Sequence, residues 1–179
     1  ITSDNGPFAT WNENPSGGES GTSHAPGSTM ELTGDITLYA QWNKIWEGKG
    51  TEDSPYLIPN ADKFKALQAQ VNDKGFNYKG KYFAITGTID LGNESWTPIG
   101  NGKASFAGSI EGNGNTITGL YVTEETRAGL FEILGVDGTS TYIRNLTICG
   151  QVTVDHGHAG GLTAVMGHGT ITLEKITTD

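Results

Sequence analysis

A six-residue unit recurs through the second half of this chain. Ile117-Thr118-Gly119-Leu120-Tyr121-Val122 matches Ile143-Arg144-Asn145-Leu146-Thr147-Ile148, and a weaker copy stands at Leu173-Glu174-Lys175-Ile176-Thr177-Thr178, so the copies start 26 and then 30 residues apart. Glycine-bearing elements accompany them: Phe106-Ala107-Gly108, Ala128-Gly129-Leu130-Phe131 and Ala159-Gly160-Gly161-Leu162. A unit this short cannot bury its own apolar face and must stack on a neighbouring copy. Inside each copy the apolar residues follow a strand-like alternation, and Gly or Asn turns separate the strands. Glycine makes up 27 of the 179 residues, about twice the usual share, with no collagen-like period. The pattern predicts a mostly β chain built around a short right-handed parallel β-helix. In it Ile117, Ile143 and Leu173 stack as one inward ladder, while Thr, Asn and charged residues face water.

Only one segment carries a helical period. Phe64, Leu67 and Val71 recur at i, i+3 and i+7, behind an N-cap at Asn60 and a first-turn carboxylate at Asp62, and Gly75 suits the left-handed residue after a helix end. A single amphipathic helix must cover something; here it is expected to plug the N-terminal mouth of the coil and blunt its open edge. Pro55 to Pro59 reads as a short lead-in strand, and Tyr82 to Leu91 as a strand region. Residues 1–42 are set apart by turn-rich composition between two strand signals, Phe8–Trp11 and Ile36–Trp42. The expected organisation is 1–42 a small module, 43–59 a linker and lead-in strand, and 60–179 the cap helix and rungs.

Charge and composition exclude several classes of function. Eleven Lys and Arg against 20 Asp and Glu give a net charge of −9, which argues against a nucleic-acid footprint and against attachment to anionic lipid. No apolar run approaches the ~20 residues of a spanning helix, and Ile1 opens no secretory leader pattern, so no membrane insertion by this segment is expected. Cys149 is the only cysteine; it forms no disulfide within the chain and is expected to be a half-buried, inert thiol.

Candidate chemistry is sparse. Asp155-His156-Gly157-His158, with His168 ten residues further on, offers imidazoles and a carboxylate of the kind that bind zinc. The glycine between the histidines and Gly160-Gly161 after them favour a solvated rung turn instead. No His-Glu-x-x-His helix is present. Asp90, Glu94, Glu111, Glu124, Glu125 and Glu132 are scattered, and Arg127 and Arg144 are the only arginines. Glycoside hydrolysis needs two carboxyls roughly 5–10 Å apart, and a coil this short offers little groove for a long saccharide, so no catalytic centre is expected. Asp35, Asp53, Asp90 and Asp137 near turns raise Ca²⁺ as a ligand, but without the Asp-x-Asp-x-Asp-Gly spacing ordinary turn chemistry is favoured, and no cofactor is expected. Gly112-Asn113-Gly114 reads as a rung turn. Among the aromatics, Trp11 and Trp42 are expected in the core of the first module and Trp96 against the lead-in strand. That leaves Trp46 as the ring most free to stack on a ligand.

Two resemblances add to this reading. Phe8-Ala9-Thr10-Trp11-Asn12, Gly17-Gly18, Gly21-Thr22-Ser23, Ala25-Pro26-Gly27 and the closing Thr37-Leu38-Tyr39-Ala40-Gln41-Trp42 resemble the Listeria–Bacteroides repeat, a β-grasp-like module of bacterial surface proteins. Only the second half of such a module is recognisable, which implies that its opening strand and helix precede Ile1. Ala9 stands where the family usually carries Gly. Gly50 to Ile58, Trp96-Thr97-Pro98-Ile99-Gly100, Phe106-Ala107-Gly108-Ser109-Ile110-Glu111-Gly112-Asn113-Gly114, Ala128-Gly129-Leu130-Phe131 and Ile143-Arg144-Asn145-Leu146 resemble the GLUG-motif repeat region. Such segments occur in adhesin-like surface proteins and ahead of the catalytic part of some immunoglobulin A-cleaving metallopeptidases. Gly161-Leu162-Thr163-Ala164 departs from that family's Gly-Leu-Val-Gly. The resemblances imply a partial β-grasp-like module before the coil, in a non-catalytic segment of a secreted or cell-surface bacterial protein. Its role would be that of an adhesin-like stalk or ligand-binding repeat region, its partner a host or cell-surface glycan or protein. The alternative is an accessory or substrate-binding portion of a secreted peptidase or polysaccharide-acting enzyme. The last copy, Leu173–Thr178, is expected to carry an unpaired edge that pairs with another chain or frays.

Overall fold

The structure is a computed structural model that describes residues 2–3, 6–15, 21–101, 103–124 and 126–179. Gly17-Gly18 of the first resemblance and Glu125 lie outside the described residues. The chain forms two compact units that divide between Trp46 and Glu47.

The first unit is a small antiparallel sheet of β1 (Thr2–Ser3), β2 (Gly6–Asn12), β3 (Ser23–His24) and β4 (Tyr39–Trp42). β2 is its hub and pairs with the other three. Phe8 lies 5.1 Å from the Trp11 ring and 5.7 Å from the Trp42 ring, the small aromatic core expected of these residues. The strand expected from Ile36 begins only at Tyr39. The register ends at Asn12 opposite Tyr39, so β2 has no residue left to pair with 36–38, and Ile36 is exposed.

The second unit is a parallel β-helix of about four turns. Its elements are β5 (Tyr56–Ile58), α1 (Ala61–Asn72), β6 (Tyr82–Ile85), β7 (Ile89–Asp90), β8 (Ser109–Glu111), β9 (Thr116–Glu124), β10 (Arg127–Ala128), β11 (Phe131–Leu134), β12 (Ser140–Val154), β13 (His158–Ala159), β14 (Thr163–Met166) and β15 (Thr170–Thr178). On one face, parallel register stacks Tyr56, Phe83, Ile110, Ile143 and Leu173. On the second it stacks Ile89, Ile117 and Ile148. On the third, Ile99 lies under Phe131 and Phe106 under Leu134, with β14 above them. Most of these side chains are fully buried, and they supply the hydrophobic stabilisation that each rung lacks alone. Tyr56 to Ile58, read as a lead-in, is the first strand of the coil's own sheet.

The expected ladder of Ile117, Ile143 and Leu173 is corrected in one member. Ile143 does face Leu173, but Ile117 stacks on Ile148, around a corner from Ile143. The cause is a difference in corner length. Glu111 pairs Arg144 and Thr116 pairs Thr147, so residues 112–115 turn a corner that β12 crosses with 145 and 146 alone. Asn145 makes that short turn with φ 54°, and Lys175 repeats it one rung on with φ 50°. On the longer corner, Asn115 Nδ2 donates to the carbonyls of Ile85 and Gly112 at 2.9 and 3.0 Å.

The helix closes the start of the coil as predicted. Asn60 caps it by accepting from the Lys63 N–H at 3.1 Å, and Phe64, Leu67 and Val71 are buried. Trp96 packs on this helix: its ring stacks on Phe64 at 5.6 Å, and its Nε1 donates to the Leu130 carbonyl at 3.1 Å. Asn72 fastens the helix end to the second rung, donating to Pro98 O at 3.0 Å and accepting from Gly100 N at 2.8 Å. Among the described residues β15 pairs with β12 alone.

Candidate functional site

Because strand side chains alternate, each inward residue is flanked by outward ones. On the first face this alternation builds the most organised polar surface of the coil. Tyr82 pairs with Ser109, and Ser109 Oγ accepts from the Tyr142 N–H at 3.1 Å, so the small serine separates two tyrosines. Their rings close over it to 5.9 Å and leave Ser109 4% exposed. One step along the strands, Ala84, Glu111, Arg144 and Glu174 form a register column.

Glu111 is the hub of that column. Its Oε2 accepts from Arg144 Nε at 2.5 Å, and its Oε1 accepts from Asn145 Nδ2 and from the Asn113 N–H, each at 2.9 Å. Partial burial alone would raise the carboxyl, but the bonds from Asn145, Arg144 and Asn113 outweigh it and hold Glu111 below its ordinary value. The bond to Glu111 in turn raises Arg144. The Arg144 guanidinium lies over the Tyr142 ring, 4.3 Å from its centroid, a favourable cation–π arrangement. Burial raises the Tyr142 hydroxyl, against the opposing charge of Arg144.

Three donors favour the ionised form of the Glu111 carboxyl. Two rings beside a fixed Glu–Arg pair present an amphipathic face with oriented donors and acceptors. The sequence pointed to Glu111 and Arg144 only as scattered charges and missed Tyr82 and Tyr142. The two tyrosines stand 60 positions apart and become neighbours only once the register is known.

The other candidates lie apart. Asp155 and His156 sit in a bend, while His158 is in β13 opposite Arg127. His168 Nδ1 faces Asp137 Oδ1 at 3.5 Å, both side chains more than 80% exposed. Among the described residues no three His, Cys, Asp or Glu side chains gather to hold a metal ion. Asp90, considered for Ca²⁺, uses Oδ1 to accept the Gly92 N–H at 2.9 Å in an ordinary turn. Trp46 is corrected outright: it is fully buried, because an indole's large apolar area is worth most out of water, and so its ring cannot stack on a ligand. Cys149 is a free, half-buried thiol.

No family model matches the chain. It is similar to a protein of Evansella cellulosilytica provisionally described as a Gly-rich membrane protein, 29% identical over 135 residues, and to halomucin of Haloquadratum walsbyi, 35% identical over 145 residues. Each similarity covers 74% of this chain, which spans 15% of the first protein's length and 2% of the second's. A crystal structure from Bacteroides ovatus, provisionally described as an immunoglobulin A1 protease, aligns over 76% of this chain and 60% of that one, with 16% identity and a TM-score of 0.42. A likeness of that degree carries no argument. No described helix is long and apolar enough to cross a membrane.

Proposed function

We propose that this chain is a non-catalytic segment of a secreted or cell-surface protein, a short β-solenoid that serves as a stalk or as a ligand-contacting repeat. The observation that carries the reading is the division of labour across each strand. Inward residues are spent on the stacked ladders, and the most ordered outward group, Tyr82–Tyr142–Arg144–Glu111, is internally paired with its carboxylate held ionised. Such a wall is suited to touching a partner. The acidic charge of −9 and the resemblance to Listeria–Bacteroides and GLUG repeats support a surface setting. So does similarity to small parts of much longer proteins, one named a membrane protein. The partner is a cell-surface glycan or protein, met by the tyrosine pair.

Two measurements test this. An antibody to the chain is expected to stain intact producing cells or to find the protein in the medium; staining only after permeabilisation overturns the placement. A glycan and matrix-protein array, run with and without Ca²⁺, is expected to give binding that Tyr142→Ala weakens by about tenfold. An accessible chain that binds nothing leaves the stalk alone, and turnover of a polysaccharide or peptide by the pure chain overturns the non-catalytic assignment.

A further inference from the structure

The second face of the coil carries an outward surface of a different kind. Leu120 and Val122 of β9 are buried, while Tyr121 and Thr123, which alternate with them, point out and are exposed. Parallel register sets Tyr121 beside Gln151 and Thr123 beside Thr153, and Ser95 pairs with Tyr121 from the rung before. Neighbouring strands lie about 4.8 Å apart, and alternate residues about 6.6 Å apart along a strand, so these side chains form a flat grid. Tyr121 has a strand neighbour on each side and is still 38% exposed. Its exposure therefore belongs to the wall itself. Among the described residues of the coil it is the one exposed aromatic ring.

The two walls differ in how their polar groups are used. On the first face the Tyr142 ring lies under the Arg144 guanidinium, and Arg144 is bound to Glu111. On the second, no side-chain hydrogen bond or ion pair among the described residues engages Tyr121, Thr123, Gln151 or Thr153. None of these four carries a charge, in a chain whose net charge is −9. The acids stand at the rim: Asp90 accepts from the Gly92 N–H at 2.9 Å, Glu94 pairs with Lys65 at 2.9 Å, and Glu124 ends β9. A polyanion meets repulsion there, and a cation finds no carboxylate within the grid. The grid offers a flat apolar ring, with hydroxyl and amide groups beside it that both donate and accept. A pyranose has the matching surfaces, an apolar face of C–H groups and a rim of hydroxyls. Sugars linked into an extended chain present such faces repeatedly, as a flat sheet wall requires.

We infer that this second face is a binding site for a neutral, extended polysaccharide, with Tyr121 as the stacking platform and Gln151, Thr123 and Thr153 as hydrogen-bonding partners. The site is separate from the Tyr82–Tyr142 wall and does not depend on what that wall meets.

Affinity gel electrophoresis of the 179-residue chain tests this, because a net charge of −9 carries the protein through a native gel. The gels hold hydroxyethyl cellulose, laminarin or glucomannan as neutral probes, and alginate as the anionic one. At least one neutral probe is expected to retard the chain, with a Kd of roughly 0.1–1 mM, and alginate is not. Tyr121→Ala is expected to weaken that binding at least ~10-fold, and Gln151→Ala about 3-fold. Tyr121→Phe keeps the ring and most of the binding. Tyr39→Ala, which removes an equally exposed ring from the first unit, leaves it unchanged. Thermal melts check that each variant stays folded, and Gln151→Ala keeps the test open if Tyr121→Ala disturbs the sheet. Failure of all three neutral probes to retard the chain overturns the inference, as does equal retardation by alginate or binding that survives Tyr121→Ala. Binding lost with Tyr142→Ala but kept with Tyr121→Ala assigns the polysaccharide to the first face and overturns it equally.

Discussion

The ladder of the coil is packed differently around its first strands and at β15. At the start, Tyr56, Tyr78 and Phe83 form a cluster with ring centroids 5.0–6.5 Å apart, and the chain of rings continues through Phe106 to Phe131. All five are buried. At the end, Leu173 holds the same register column as Tyr56 and Phe83 yet is 36% exposed. Position in the column is therefore not what makes a residue core; a neighbour on both sides is. In a solenoid the stability of a rung is its own small term plus its interfaces with neighbouring rungs, and among the described residues β15 pairs with β12 alone.

Truncation in the ladder is the sharpest way to break that comparison. Phe106→Ala removes a fully buried ring lying between Phe83 and Phe131 and is expected to cost about 3–5 kcal/mol. Leu173→Ala is expected to cost less than about 1 kcal/mol, because much of the side chain is already in water. Chemical denaturation of both variants measures the ratio. Equal losses would mean that the last rung is as well packed as the middle ones.

The corner supplies a second, smaller contrast. A Cβ at Gly112 would stand 2.3 Å from the Asn145 carbonyl oxygen of the next rung. Gly112→Ala must therefore push two rungs apart and is expected to cost about 2–3 kcal/mol in the denaturation midpoint. A Cβ at Gly114 would meet nothing within 4 Å, although its φ of 74° still disfavours a side chain. Gly114→Ala should therefore cost about 1 kcal/mol. At the closed end, Asn60→Ala removes the bond to the Lys63 N–H and is expected to cost about 1 kcal/mol, with the loss confined to helix protection in hydrogen exchange.

These contrasts also mark what was legible beforehand. α1 was read to its cap and its three buried residues because a 3.6 period is local, and Phe64, Leu67 and Val71 announce it within eight positions. The β-helix was legible from the recurrence itself. Its phase was not: two extra residues at the 112–115 corner moved Ile117 onto another face, and a repeat match carries no record of where a chain bends. The tyrosine pair was invisible for the same reason. Trp46 misled because it was reached by elimination once Trp11, Trp42 and Trp96 had been given core places, whereas burial of an indole is decided by distant packing.

The smallest expected effect concerns the outer wall, where packing gives way to charge. Glu111 is held below its ordinary carboxyl value of 4.5 in the folded chain, by Asn145, Arg144 and the Asn113 N–H against the pull of burial. A carboxyl depressed on folding contributes stability that is complete above its unfolded value and is lost as pH falls through the folded one. Glu111→Gln keeps the shape and removes the titration. The stability difference between wild type and Glu111→Gln should be about 1 kcal/mol or less near neutral pH and should shrink as pH falls below the 4.5 reference. A difference that stays constant down that limb would mean that Glu111 acts on the coil through packing, and that the ionised state does not hold the wall in order.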